Sequence, residues 1–263
     1  MNTFDFTENV VLITLDSCRW DSFTQANAQH LKSRCKFRKA FSQGTYTYPA
    51  HMSIFSGILP NSDTIEPYYN RFCKNLFRMA GRRASSASLI EFPEGTENII
   101  KGFERRGYKT IGFAAMEWFK HPNLNGPFQV FHLTGINFEK QIKYVKQELS
   151  ASDFPFFLFI NIGETHEPYE YGKDIKVSLV SRARMRAFEN IGYQFEEHKK
   201  QILALEYVDG IMPKLFAHLN QNYRRSLVIV CGDHGDCFGE DGKYGHGFYH
   251  EKVMEVPLGI FVI

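Results

Sequence analysis

Two adjacent side chains, Asp233 and His234, pair a carboxylate with an imidazole, a donor mixture that suits a borderline divalent cation. They follow the apolar run Leu227-Val228-Ile229-Val230, which reads as a strand buried on both faces of a parallel sheet. They therefore stand at a carboxyl-terminal strand end, where open α/β sheets place their ligands. Glycines at 232, 235, 239, 242, 245 and 247 let the next loop turn sharply and approach a ligand closely, and that loop delivers His246 and His250. Asp and Gly are also ordinary turn residues, so a plain β-to-α loop would carry the same letters. The rest of the chain has to decide between the two.

A second apolar run, Val10 to Leu15, ends on Asp16 and puts another carboxylate at a strand end. Two such ends can converge on one ion, although Asp16 alone could serve as a cap or turn residue. In the stretch 44–57, Pro49 suits the first turn of a helix and Gly57 its end, which makes Thr47 the expected N-cap. A hydroxyl there meets free N–H groups and the positive end of the helix dipole, which favour an alkoxide or a bound phosphate. The run 156–162 leads into Glu164, Thr165 and His166, a third strand end offering polar donors. A satisfied structural histidine is the plainer reading of His166.

Such side chains need a sheet to gather them. The stretch 58–95 shows no clear period and is expected to contain one helix near 70–81; beyond it the pattern predicts helices near 96–106, 138–150 and 198–219, the last kinked at Pro213, and strands over 109–114, 156–162 and 257–263. This alternation predicts an α/β fold, a three-layer α/β/α sandwich around a mostly parallel sheet. The 263 residues fit one large domain, 1–263, with excursions at 58–95 and 172–197 over the active face. Arg71, Lys74, Arg78, Arg82 and Arg83 in the first excursion could meet an anionic substrate or make a solvated helix face.

The formal charge of +2 gives no drive toward nucleic acid or a membrane surface, and no apolar run approaches the ~20 residues needed to span a bilayer. A strand beginning near residue 10 leaves no room for a signal peptide. Five cysteines, an odd number without zinc-finger spacing, are expected as reduced thiols, with Cys231 and Cys237 as small buried residues. The expected location is cytoplasmic and the expected partner a small molecule. Oligomeric state is not legible.

Four pieces, in chain order, resemble the alkaline phosphatase-like superfamily, which includes sulfatases, nucleotide pyrophosphatase/phosphodiesterases and phosphoethanolamine transferases. LITLDSCRWD resembles its first metal-binding strand and TYPAH its nucleophile motif. ETHEPY resembles the sulfatase-type histidine segment, and GDHGDCFGEDGKYGHG the second metal strand with the histidine beyond it. The resemblance implies an alkaline phosphatase-like core in which Asp16, Thr47, Asp233 and His234 ligate one divalent metal, with Thr47 also the nucleophile. The mixed ligand set suits Zn²⁺ or Mn²⁺ better than Ca²⁺. His166 and His246 would hold oxygens of the transferring group or protonate the leaving group. Arg19 and His51 would contact substrate. Glu164 and His250 could complete a second metal site, but the Asp-x-x-x-His spacing expected there is absent, so one metal is favoured.

Sulfatases convert a Cys or Ser in C/S-x-P-S-R to formylglycine. Here the methyl group of Thr47 prevents that aldehyde, His51 replaces the arginine, and Ser17 replaces the second aspartate of the sulfatase calcium site. The implied activity is hydrolysis of a phosphate monoester or diester through a covalent phosphothreonine at Thr47. Phosphotransfer to a small acceptor, and a silent member that only binds a phosphorylated ligand, are the alternatives; a sulfatase is disfavoured.

Overall fold

The computed structural model describes residues 9–57, 78–80, 89–91, 98–150, 155–172, 192–223 and 225–263. In chain order the strands are β1 (Asn9–Leu15), β2 (Arg38–Phe41), β3 (Arg78–Ala80), β4 (Leu89–Glu91), β5 (Lys109–Ala114) and β6 (Val130–Leu133), then β7 (Phe156–Ile162), β8 (Ser226–Gly232), β9 (Cys237–Phe238), β10 (Tyr244–Gly245) and β11 (Glu255–Val262). Seven of them form one sheet in the order β2-β11-β8-β1-β7-β5-β6. The run from β8 to β6 is parallel, and β11 joins β8 and β2 antiparallel.

The central strands β1 and β7 are buried along their whole length, as unbroken apolar runs require. β8 departs from the expectation of two buried faces: Val228 and Val230 are buried, whereas Leu227, Ile229 and Cys231 on the other face are only half-buried. It lies between β1 and the antiparallel margin strand β11.

The helices are α1 (Trp20–Gln25), α2 (Gln29–Lys32), α3 (Thr47–Ser56), α4 (Ile99–Arg105), α5 (Pro122–Asn125), α6 (Phe138–Leu149), α7 (Phe195–Asn222) and α8 (Glu251–Met254). On one face of the sheet, Val11, Ile13 and Leu15 of β1 pack with Phe138, Ile142 and Val145 of α6 and with Leu205, Val208 and Met212 of α7. Those helical residues recur at three- and four-residue spacing, which gives each helix an apolar stripe. On the other face, Val10 and Leu12 pack with Phe157, Phe159, α3 residues Tyr48, Met52 and Phe55, and Ile100 of α4. Two cores on opposite faces make the expected three layers. Asn98 and Asn137 cap α4 and α6, accepting from Ile100 N at 2.8 Å and Lys140 N at 3.0 Å.

One sequence expectation is corrected. The stretch assigned to a helix near 70–81 ends instead in β3, which pairs antiparallel with β4, and its earlier part lies outside the described residues. Most of both excursions, with Arg71, Lys74, Arg82 and Arg83, also lies outside them. α7 is 28 residues long and continues through Pro213. Among the described residues no helix is long and apolar enough to cross a membrane.

One side chain of α7 fastens two of the strand ends. Gln201, fully buried, donates from Nε2 to the carbonyls of Ser17 at 2.8 Å and Thr165 at 3.0 Å. Its Oε1 accepts from Ser22 Oγ at 2.6 Å. Both amide hydrogens and the carbonyl are thus committed, and removing them strands three buried partners. Gln201→Leu is expected to lower unfolding stability by roughly 1–3 kcal/mol, read as a lower urea midpoint with an unchanged slope; an unchanged midpoint would show that this clamp contributes nothing.

Candidate metal centre

The sheet brings the ends of β1 and β8 side by side, and a backbone feature completes the meeting. Ser17 adopts φ +59°, a left-handed conformation that non-glycine residues rarely take. Turned this way, its N–H donates to Asp233 Oδ1 at 3.0 Å, and His234 N donates to the same oxygen at 2.8 Å. Oδ1 is therefore occupied, while Asp233 Oδ2 is buried without a hydrogen-bond partner. Burial, with the neighbouring Asp16 charge, pushes Asp233 well above the usual carboxylate range.

His234 faces that orphan oxygen. Its Nδ1 lies 2.9 Å from the carbonyl of Gly235, which can only accept, so Nδ1 carries the proton and Nε2 presents a lone pair. Burial, assisted by His246, lowers its pKa to about 3, which keeps the ring neutral. Nε2 lies 3.6 Å from Asp233 Oδ2, 3.8 Å from Asp16 Oδ1 and 3.5 Å from Thr47 Oγ1. One ligand atom each from Asp16, Asp233 and His234 falls within 4.8 Å of the others, all three residues being buried. An unpartnered carboxylate oxygen, a second carboxylate and an imidazole lone pair turned inward fit a divalent cation, whose charge would offset both acids.

Thr47 stands beside this cluster, its Oγ1 3.4 Å from Asp16 Oδ2. It is the first residue of α3 and not its N-cap, which is Tyr46, so the helix starts one residue earlier than Pro49 suggested. The hydroxyl still lies at a helix N-terminus. Gly44 lets the preceding loop lie against α3, because a Cβ there would fall 2.2 Å from Ala50 N.

His246 and His166 come to the same place. The ring centroid of His246 is 4.5 Å from that of His234 and 5.4 Å from that of His166. His166 Nδ1 donates to the carbonyl of Glu167 at 2.7 Å, which leaves Nε2 as the acceptor. Sequence reasoning missed the group that sets His246: Asp236 Oδ1 accepts from His246 Nδ1 at 2.5 Å, and its Oδ2 accepts from the Tyr169 hydroxyl at 2.9 Å. Burial opposes a charge on His246, but the Asp236 carboxylate outweighs it and raises the pKa. Asp236 is held down to about 2, since His246 overrides the effect of its burial. The available signal was an acid two residues beyond His234 in the glycine-rich loop. Asn161, also missed, donates from Nδ2 to Asp16 Oδ2 at 3.0 Å.

Four predicted site residues are placed elsewhere. Arg19 is buried in ion pairs with Asp21 at 2.6 Å and Glu240 at 2.7 Å, and donates to the Asp236 carbonyl at 3.2 Å, so it braces the loop that carries Asp236. His51, on the second turn of α3, is bonded to Thr14 and to the Thr47 carbonyl. His250 caps α8 by accepting from Lys252 N at 3.1 Å, with Nε2 3.2 Å from Asp241. Glu164 turns toward α6, where Oε1 accepts from Phe138 N at 2.6 Å. Neither Glu164 nor His250 joins the metal-capable group, which among the described residues is the Asp16–Asp233–His234 set alone. Burial raises the Cys231 and Cys237 thiols to about 12, so both are protonated.

The family profile described as Sulfatase matches residues 8–258. No curated protein matches the chain. Among solved structures, a protein in the alkaline phosphatase superfamily from Vibrio parahaemolyticus is 16% identical with a TM-score of 0.61, covering 96% of this chain and 60% of its own. The chain thus spans less than two thirds of that relative. The C-terminal periplasmic domain of phosphoethanolamine transferase EptC from Campylobacter jejuni is 15% identical with a TM-score of 0.62, covering 97% of this chain and 79% of its own. Phosphonate monoester hydrolase of Agrobacterium radiobacter is 14% identical with a TM-score of 0.61, covering 96% and 68%. At these identities the likeness shows the fold. The periplasmic member overturns the cytoplasmic expectation: the same fold works outside the cytoplasm, and free thiols with an early first strand do not fix a compartment.

Glu164 generates a pH prediction. Burial raises its pKa to about 7, against partial relief from the N–H groups it accepts. The folded state therefore holds a proton that the unfolded chain releases near pH ~4.3, and stability falls as pH rises between these values. Glu164→Gln keeps the acceptor for Phe138 N and removes the titration. At pH 8 it is expected to be more stable than the parent by on the order of 1–3 kcal/mol, and at pH 4 equal to it. Parallel stability curves for the two proteins would contradict this.

Proposed function

Because this chain belongs to the sulfatase family, within the alkaline phosphatase-like superfamily, we propose that it is a metal-dependent phosphoric ester hydrolase acting through Thr47. The observation that carries the proposal is the placement of Thr47 Oγ1 within 3.5 Å of both Asp16 Oδ2 and His234 Nε2. Thr47 in place of a Cys or Ser cannot be converted to formylglycine, which separates this reading from a sulfatase despite the family name. Asp16, Asp233, His234 and Thr47 would hold one divalent cation, Zn²⁺ or Mn²⁺. Such an ion acidifies a coordinated hydroxyl and neutralises a phosphoryl oxygen as charge develops.

In this mechanism Thr47 Oγ1 attacks phosphorus in line, loses its proton toward Asp16 Oδ2, and forms a phosphothreonine as the ester oxygen departs. His246, whose protonated form Asp236 favours, gives its proton to the leaving oxygen. The neutral ring then takes a proton from water, whose oxygen attacks phosphorus and releases Thr47, to which Asp16 returns the proton it took. His166, its ring turned by the Nδ1 bond to the Glu167 carbonyl, would support an oxygen of the transferring group. The fold likeness to a phosphoethanolamine transferase favours keeping one second reading, in which an acceptor hydroxyl replaces water in the last step. The excursions at 58–95 and 172–197 would set the substrate, within a single domain.

Turnover of a chromogenic phosphate ester by Zn²⁺- or Mn²⁺-loaded protein should fall by roughly 10³-fold or more in Thr47→Ala; equal turnover would sink the mechanism. Asp236→Asn should lower kcat by roughly 10²-fold. It should also move the alkaline limb of the kcat/KM profile to lower pH, since His246 loses the carboxylate that raises it. An unmoved limb would remove His246 as the acid. Product analysis with added alcohols separates hydrolysis from transfer.

A further inference from the structure

Behind the metal-capable cluster lies a buried polar chain that neither the family match nor the proposed mechanism uses. Thr14, His51 and Asn161 have no exposed surface. Asn161 Nδ2 lies 3.0 Å from Asp16 Oδ2 and 3.2 Å from Thr14 Oγ1. Thr14 Oγ1 lies 2.9 Å from His51 Nε2, and His51 Nδ1 lies 2.7 Å from the carbonyl of Thr47.

Chemistry fixes the direction of every proton. The Thr47 carbonyl can only accept, so Nδ1 of His51 carries the hydrogen. Asn161 Nδ2 donates to the Thr14 hydroxyl oxygen, and Nε2 of His51 is the acceptor within reach of that hydroxyl's own hydrogen. With its hydrogen spent there, Thr14 Oγ1 accepts from Asn161. The amide of Asn161 is oriented by Ala115 N, which donates to its Oδ1 at 3.3 Å. Its two Nδ2 hydrogens then serve Thr14 and Asp16, one each. The His51 ring is further caged by Phe119, Phe159 and Phe55, with centroids at 4.8, 5.6 and 5.9 Å in edge-to-face geometry. Asp233 Oδ2, 3.6 Å from His51 Nδ1, lies beyond hydrogen-bond reach.

We propose that Asn161, Thr14 and His51 are positioning residues that form a hydrogen-bond relay between Asp16 and the first turn of α3, fixing the metal-binding carboxylate relative to the nucleophile. This rests on the metal-dependent reading above. The relay holds one oxygen of Asp16 through Asn161 and the backbone of Thr47 through His51, with the Thr14 hydroxyl as the link between the halves. It also gives His51, at the position where the sulfatase pattern has arginine, a role that touches neither substrate nor metal. Outer partners of this kind orient a ligand, and their loss typically lowers metal affinity 10–100-fold.

The test compares Thr14→Val, which swaps the hydroxyl for a methyl group of the same shape, with Thr14→Ser, which keeps the hydroxyl. Two readouts are taken: the ¹⁵N NMR signature of the His51 ring in metal-free protein, and affinity for Zn²⁺ alone by competition with a chromogenic chelator. The parent and Thr14→Ser should carry the ring proton on Nδ1, and the Nε2 shift should move in Thr14→Val as its hydrogen bond is lost. Zn²⁺ affinity should fall roughly 10–100-fold in Thr14→Val and stay near the parent value in Thr14→Ser. A His51 proton on Nε2 would overturn the relay, as would a Thr14→Val protein that melts lower yet binds Zn²⁺ as tightly as Thr14→Ser. If Thr14→Val does not fold, His51→Gln, which retains a donor and an acceptor, against His51→Leu puts the same question to Zn²⁺ affinity. A parent that binds no Zn²⁺ or Mn²⁺ would defeat the functional proposal, and the ring tautomer would then decide the relay alone.

Discussion

Two buried carboxylates face each other across the ends of β1 and β8, and the rest of the site answers that constraint. Asp16 and Asp233 are both cut off from solvent, and the imidazole between them is kept neutral by its own burial. Ionising both acids there is costly unless a cation compensates, and Asp233 is accordingly pushed up. The local backbone commits to this arrangement. Ser17 accepts a left-handed conformation to aim its N–H at Asp233, and His234 spends Nδ1 on Gly235 so that Nε2 faces inward. Strain and hydrogen bonds are thus concentrated where charge is concentrated.

Parallel topology makes the convergence possible. Because β8, β1 and β7 run side by side in one direction, their carboxyl ends emerge together, and residues more than two hundred positions apart become neighbours. The remaining task is to hold the emerging loops. Gln201 ties the loops after β1 and β7 to α7, and Arg19 ties the loop after β8 to Asp21 and Glu240. The Gly247 N–H meets the Thr45 carbonyl at 2.8 Å and draws the histidine-bearing loop toward the start of α3. Asp236 then joins two of these loops through Tyr169 and His246.

Much of this was legible in the sequence where physics is local. Apolar runs gave β1, β5 and β7 because a strand buried on both faces has no other way to be written, and heptad-like spacing gave α6 and α7. The metal-capable set was legible because its members directly follow the apolar runs of β1 and β8. What escaped is non-local. Asn161 and Asp16 are 145 residues apart, and nothing near either announces the contact. Glu164 and His250 stand in the right segments but turn aside, one to a helix N-terminus and one to cap α8, and sequence spacing does not report side-chain direction. β3 replaced part of an expected helix because a stretch with no clear apolar period has no stripe to fix its structure.

The account stands on one cation being held between the two acids, and locating that ion tests it most directly. Crystals grown with Zn²⁺ and, separately, with Mn²⁺ would be measured above and below each metal's absorption edge. The account predicts an anomalous peak bounded by Asp16, Asp233, His234 Nε2 and Thr47 Oγ1. A folded protein with no peak there, or with its only peak at other side chains, would contradict it.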